Sequence, residues 1–264
     1  MGFETGAVLA DRWELLERLA TGGMGEVFRA LDRDAGEQVA VKVLRPEVAE
    51  GAQRFADEVA TLRALDHPNI VRLLDAGEHD GVPFLVMELV PGKPLDRTLE
   101  QRTLDAEEMR RVGIEIASAL EYIHDHDIVN RDINPGNILF DEHDVAKLAD
   151  FGIAMLVGAT RITETNVTIG SAAYLAPEQI TDEPIGPPAD VYALGLVLLE
   201  AYTGEPAFSG PLKEAAIARL ARDPKVPEDL PESWQRLLVL MTARDQMTRP
   251  GAGEVAAMLG SDEW

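Results

Sequence analysis

Cysteine is absent from the 264-residue chain, so neither a disulfide framework nor a thiolate metal site can form. That absence favours a reducing, intracellular setting. Basic residues are scarce: 24 Lys and Arg stand against 47 Asp and Glu, a formal net charge of −23. Such an excess argues against broad binding to nucleic acid or an anionic membrane, which needs basic surface. An anionic ligand would need dedicated cations and backbone donors. Long apolar runs are missing too. None reaches the ~18 residues of a membrane span; Val191 to Leu199 stops at Glu200 and reads as a buried helix. The N-terminus lacks the basic-then-apolar pattern of a secretory signal, and no repeat or low-complexity tract is found. What remains, 46% hydrophobic and 27% charged residues, is the balance of a globular protein. The length suffices for one large domain or two lobes.

The stretch Ile128 to Phe140, IVNRDINPGNILF, stands out. Two apolar runs bracket a polar loop of Arg131, Asp132, Asn134 and Asn137. Pro135 and Gly136 forbid a regular helix, so these polar groups sit on a turn. A carboxylate and an amide five residues apart, between buried clamps, suggest either a functional loop or an ordinary polar hairpin.

From Trp13 to about Val43 the pattern is short strands and turns. The cluster Gly22-Gly23-Met24-Gly25 joins two strands rather than opening a helix, and no GxxxxGK[ST] is present. It therefore fits a flap over phosphates, or a plain hairpin turn, better than a P-loop. Val39, Val41 and Val43 alternate with Ala40, Lys42 and Leu44, which turns Lys42 inward, where an unpaired cation is costly. Glu50 to Ala64 reads as a helix with Phe55, Val59 and Leu62 on one face, and Glu58 beside that stripe is the natural partner for Lys42. After two more strands the chain becomes mainly helical. Helices are expected over Asp105–Asp125 (apolar face Val112, Ile116, Ala119, Leu120, Ile123), Ala189–Tyr202, Lys213–Arg222, Ser233–Ala243 and Gly253–Leu259. Gly158 to Ala173 is Thr-rich, without clear period, and reads as a loop.

This order of parts resembles a eukaryotic-type protein kinase, most closely the bacterial serine/threonine branch. The resemblance rests on LATGGMGEV at 19–27, VAVK at 39–42, Glu58, HPNIV at 67–71, NRDINPGN at 130–137, DFG at 150–152, APE at 176–178, DVYALG at 190–195 and Arg249. It covers nearly the whole chain, as one domain over 1–264. The implied fold is α+β and bilobal: a small antiparallel β-rich lobe with one key helix over about 10–90, then a larger helical lobe over about 91–262.

The resemblance implies ATP and Mg²⁺ in the cleft. Lys42, held by Glu58, would contact the phosphates; Asn137 and Asp150 would hold the metal; Asp132 would take or orient the substrate hydroxyl's proton. Ala20, Thr21 and the Gly22, Gly23, Met24, Gly25 run would close over the phosphates. Adenine would lie between Leu19, Val27 and Ala40 above and Leu139 below, with Glu88 to Val90 as hinge and Met87 as gatekeeper. Glu178 and Arg249 would form a buried structural ion pair.

Three positions depart from the family pattern. Ala20 replaces the first loop glycine, Asn130 the histidine before Arg-Asp, and Asn134 a lysine that contacts the γ-phosphate. Losing a charge-assisted hydrogen bond of ~1.5–3 kcal/mol implies a rate ~10- to 150-fold lower, while an amide keeps a neutral bond. A slowed enzyme is expected; the alternative is a pseudokinase that binds nucleotide or scaffolds without transfer. Arg131 would bind a phosphate on the 158–173 loop, with Thr163, Thr165 and Thr168 as autophosphorylation candidates. Ser171 retains a hydroxyl where the family bridges to the catalytic loop, which favours Ser/Thr acceptors. The expected partners are an unidentified protein substrate and a second copy in a homodimer, without nucleic acid or membrane contact from this segment. The expected location is the cytoplasm, as a whole protein or as the inner domain of a membrane-anchored receptor.

Overall fold

The structure, a computed structural model, describes residues 3–23, 25–45, 59–150, 171–181 and 183–261. Strands β1 (Val8–Leu9), β2 (Trp13–Gly22), β3 (Gly25–Asp32), β4 (Glu37–Leu44), β5 (Leu73–His79) and β6 (Val82–Glu88) form one sheet. Their order is β1-β2-β3-β4-β6-β5, with every neighbouring pair antiparallel.

Alternation along β4 decides what each face of the sheet buries. Val39, Val41 and Val43 pack with Leu9, Trp13, Leu15, Phe28, Ala30, Phe84 and Val86 into one cluster. Ala40 and Leu44 face the other way, joining Leu85 and Met87 in the main core. Each fully buried Val or Leu contributes about 1.5–3 kcal/mol, so a slip of one residue would exchange the two faces and is strongly disfavoured. Lys42 lies on the main-core face, paired across strands with Val27 and Leu85. Of the helix expected over 50–64, residues 59–63 are helical, with Val59 and Leu62 buried; Phe55 and Glu58 lie outside the described residues.

Helices follow: α1 (Leu95–Leu99), α2 (Ala106–His124), α3 (Pro177–Ile180), α4 (Pro187–Thr203), α5 (Leu212–Ala221), α6 (Glu232–Met241) and α7 (Ala252–Gly260). Helix α2 starts at a capping box: the Asp105 carboxylate accepts the N–H groups of Glu107 and Glu108, and Glu108 accepts that of Asp105. All five residues expected on its apolar face are buried. Helix α4 is buried nearly all round, as its apolar run predicts. Among the described residues no helix is long and apolar enough to cross a membrane.

Among the described residues, backbone bonds tie both the approach to β5 and the segment leading out of β6 to the small hairpin β7 (Ile138–Phe140) and β8 (Ala146–Leu148). At the first, Val71 donates to Leu148 at 2.9 Å, Leu148 donates to Asn69 at 2.8 Å, and the Asn69 amide donates to the Ala146 carbonyl at 2.9 Å. At the second, Pro94 bridges Leu139 and the Phe140 N–H reaches the Lys93 carbonyl at 3.2 Å. Gly92 is required there, because a Cβ would stand 2.0 Å from the Phe140 oxygen.

The expected Glu178–Arg249 pair is present. Both N–O bonds of the fork are made, at 2.6 and 2.9 Å, with side chains 1% and 0% exposed. Arg249 also donates to the carbonyls of Pro188, Ala243 and Arg244, and lies over the Tyr192 ring. With its donors satisfied, the buried guanidinium ties the start of α3 to the chain before α7.

Candidate active site

The loop 128–138 is pinned from within by three buried isoleucines, Ile128, Ile133 and Ile138; of the polar residues between them Asn130 is buried, and Arg131, Asp132, Asn134 and Asn137 are partly exposed. Pro135–Asn137 form a single 3-10 turn, capped by the Asn134 Oδ1, which accepts the Gly136 N–H at 3.0 Å. Arg131 stands at φ +68°, a conformation uncommon outside glycine. It is held from below. The buried Asp190, in the first turn of α4, accepts the N–H groups of Asn130 at 2.8 Å and Arg131 at 2.7 Å, and its Oδ2 lies 2.9 Å from His124 Nε2. From the other side the Arg131 carbonyl accepts from Gln179 Nε2 at 2.9 Å.

Three asparagines then fix Asp132. The Asn130 Oδ1 accepts its backbone N–H at 2.9 Å. The Asn134 amide donates to its carbonyl at 3.0 Å and to Oδ1 at 3.1 Å. The Asn137 amide donates to the same carbonyl at 2.9 Å and to Oδ2 at 3.1 Å. Each carboxylate oxygen therefore receives one side-chain amide proton. Asn130 is fully buried, and its Nδ2 has no hydrogen-bond partner among the described residues, so Asn130 is kept in place through its oxygen.

Lys42 arrives from the sheet. Its Nζ donates to Asp150 Oδ2 at 2.7 Å, with side chains 6% and 28% exposed. Burial demands a counter-charge for the ammonium, and among the described residues Asp150 supplies it. The Ala149 N–H bonds the Asn137 carbonyl at 2.8 Å, which places Asp150 beside the asparagine turn. The five groups Lys42, Asp132, Asn134, Asn137 and Asp150 thus gather at one place from positions up to 108 residues apart.

Above them, β2 and β3 pair Ala20 with Val27, Thr21 with Glu26 and Gly22 with Gly25, so the glycine run closes a hairpin as expected. Gly25 (φ +155°) tolerates no Cβ, which would meet the Val43 carbonyl oxygen at 2.0 Å. Ala40 and Met87 are buried in the main core, and Val27, Val90 and Leu139 pack against it, whereas Leu19 is 42% exposed. Glu88 is braced by Lys147 Nζ at 2.7 Å and by the Arg72 N–H at 3.2 Å.

Met24, Glu58, Phe151, Gly152, Thr163, Thr165 and Thr168 lie outside the described residues, and Ser171 opens a 3-10 turn to Tyr174. Sequence reasoning missed the roles of Asn69, Asp190, Gln179 and Lys147. Asn69 and Asp190 fall inside the stretches HPNIV and DVYALG; Gln179 and Lys147 carry no signal.

The donor set fits magnesium. Asp150 offers a carboxylate, and Asn137, with its amide protons given to Asp132, offers its Oδ1. Hard oxygen donors of this kind suit magnesium.

A sheet lobe over a helical lobe, with these groups between them, defines a phosphotransferase cleft of the protein kinase type. The protein kinase domain profile matches residues 13–259, and the chain belongs to that family. The DNA damage-responsive serine/threonine-protein kinase RqkA of Deinococcus radiodurans is 36% identical over 98% of the chain, and serine/threonine-protein kinase PknA of Mycobacterium tuberculosis 35% identical over 98%. The chain covers 40% and 64% of those two relatives. The crystal structure of the M. tuberculosis PknI kinase domain (C20A mutant) superposes with a TM-score of 0.74 at 25% identity, covering 98% of each chain.

Proposed function

We propose that the chain transfers the γ-phosphate of ATP, with magnesium, to serine or threonine hydroxyls of proteins. The observation that carries this is the convergence of Lys42, Asp150, Asn137 and Asp132 at one cleft. Lys42 would contact the α- and β-phosphates, while Asp150 and Asn137 would hold the metal. Magnesium, when bound, neutralises phosphate oxygens and the charge that develops in transfer. Asp132, with its carboxylate fixed on both oxygens, accepts or orients the acceptor hydroxyl's proton. The backbone of 22–25 covers the phosphates. Exposed Leu19 with Val27 and Ala40 above, Leu139 below, Met87 behind and the 88–90 backbone at the edge gives adenine an apolar slot. The 10–90 and 91–262 segments act as the two lobes.

Asn134 carries a second reading. Its Oδ1 is taken by Gly136 and its Nδ2 by Asp132, so in this arrangement its amide is committed to the loop rather than to a phosphate. That favours a slowed enzyme over a fully active one, and it is also the observation that favours a nucleotide-binding scaffold. The deciding experiment is phosphate incorporation from labelled ATP with Mg²⁺, wild type beside Asp132→Asn and with chelator as a further arm. Incorporation that requires Asp132 and metal is expected; equal labelling by wild type and Asp132→Asn would sink the enzyme reading. The remaining expectations stand as part of the proposal: autophosphorylation at Thr163, Thr165 or Thr168 with Arg131 as receiver, a homodimer, and a cytoplasmic location, free or as the inner part of a longer anchored kinase.

A further inference from the structure

Arg219 is the largest fully buried side chain among the described residues, 0% exposed, and none of the chemistry above uses it. It projects inward from α5, where Ala215, one turn earlier, is buried on the same face. Among the described residues no carboxylate forms an ion pair with it. Instead Nη1 donates to the Ala172 carbonyl at 3.0 Å and Nη2 to the Ala173 carbonyl at 2.7 Å, and the guanidinium lies 5.0 Å over the Phe208 ring. Burial pulls its pKa below the ordinary arginine value, the mark of a cation held out of water. A leucine would fill the space without the desolvation cost of a cation. The distinctive product of Arg219 is a fork that fixes two successive carbonyls of residues 172–173.

Those carbonyls belong to the turn Ser171–Tyr174, and this segment runs directly to the catalytic loop. The Ala176 N–H bonds Gln179 Oε1 at 2.8 Å, and Gln179 Nε2 bonds the Arg131 carbonyl, next to Asp132. Tyr174 is in turn held by a short hydrogen bond from its hydroxyl to Glu200. An acceptor polypeptide that presents a hydroxyl at Asp132 must pass over chain adjacent to that loop, and 172–176 is such chain. The ATP-side groups Lys42, Asn137 and Asp150 share no hydrogen bond with Arg219 among the described residues.

We propose that Arg219 is a positioning residue for the acceptor polypeptide, acting through the backbone of Ala172 and Ala173 and leaving nucleotide binding alone. This rests on the kinase reading above. The test is steady-state transfer to myelin basic protein by wild type, Arg219→Met and Arg219→Lys, with melting curves to verify folding. Arg219→Met should raise the acceptor KM by about tenfold or more, with KM for ATP held within about twofold. Arg219→Lys, which keeps a cation but not the fork, should fall between the two, and it carries the test if the methionine variant does not fold. Equal changes in both KM values, or no change in a folded variant, would overturn the role of Arg219 while transfer by wild type leaves the kinase reading standing. No transfer by wild type would remove the kinase reading, and this proposal with it.

Discussion

Replacing Asn134 by alanine tests the loop most directly. The substitution deletes three hydrogen bonds: to the Asp132 carbonyl at 3.0 Å, to the Asp132 Oδ1 at 3.1 Å, and from the Gly136 N–H at 3.0 Å. The two neutral bonds contribute about 0.5–1.5 kcal/mol each, and the one to the carboxylate about 1.5–3 kcal/mol. If the carboxylate bond acts only while Asp132 handles the hydroxyl proton, its loss lowers kcat by ~10- to 150-fold. The proposed adenine slot is built from groups the substitution does not touch, so KM for ATP should stay within about twofold. The assay is labelled-phosphate transfer at saturating and graded ATP, with a melting curve to confirm folding. A folded Asn134→Ala variant whose kcat stays within about twofold of wild type would refute the reasoning, since the amide would then not be holding a working carboxylate.

Other perturbations follow from the same geometry. Arg249→Met leaves the Glu178 carboxylate buried and unpaired, which should cost about 3–5 kcal/mol and lower the melting temperature by ~6–20 °C; a drop of less than about 2 °C in calorimetry would contradict the pairing. Asp32 is held down to a pKa of about 2, chiefly by its hydrogen bonds from Arg12, at 2.8 and 2.6 Å. A folded-state pKa below the unfolded value of about 3.9 stabilises above that value and is lost as pH falls toward 2. Asp32→Asn should therefore flatten the acid limb of a stability–pH curve between about 4 and 2 and lower stability at neutral pH. An unchanged acid limb in urea titrations would count against it. Gly25→Ala should destabilise the sheet through the collision with Val43, measured as an earlier urea midpoint.

Much of the fold was legible because it rests on local pattern. The alternation of Val39, Val41 and Val43 with Ala40, Lys42 and Leu44 predicted two faces, and each face has its own core. Helix α2 could be read from its apolar stripe and α4 from the absence of polar breaks. The helices expected over Lys213–Arg222, Ser233–Ala243 and Gly253–Leu259 are present within one or two residues at either end. What sequence could not show is long-range polar pairing. Asp190 meets Asn130 across 60 positions, Gln179 meets Arg131 across 48, and Lys147 meets Glu88 across 59; no periodicity encodes such contacts. Arg219 left one faint trace, a charged residue on the inward stripe that Ala215 begins. Asn134 stands out in the sequence for the lysine it replaces, while its turn toward Asp132 and Gly136 is a property of the folded loop.

The two fastenings of the sheet to the helical part have a mechanical consequence. Both close on β7–β8, at Leu139–Phe140 and at Leu148, two strands of one hairpin. With the Lys147–Glu88 pair, which ends on the same hairpin, they make rotation of the sheet about this hairpin easier than sliding. Sliding of the sheet along the cleft, or twisting about its normal, would break the bonds at Asn69, Val71 or Lys93. Asp150 follows Leu148 by two residues, close to that axis, and travels little as the sheet swings. Gly22 and Gly25, at the strand ends away from Glu88, would travel most. Asp150 and the asparagine turn beside it would thus stay registered with one another while the glycine hairpin takes the widest arc, as in a door whose lock sits by the hinge.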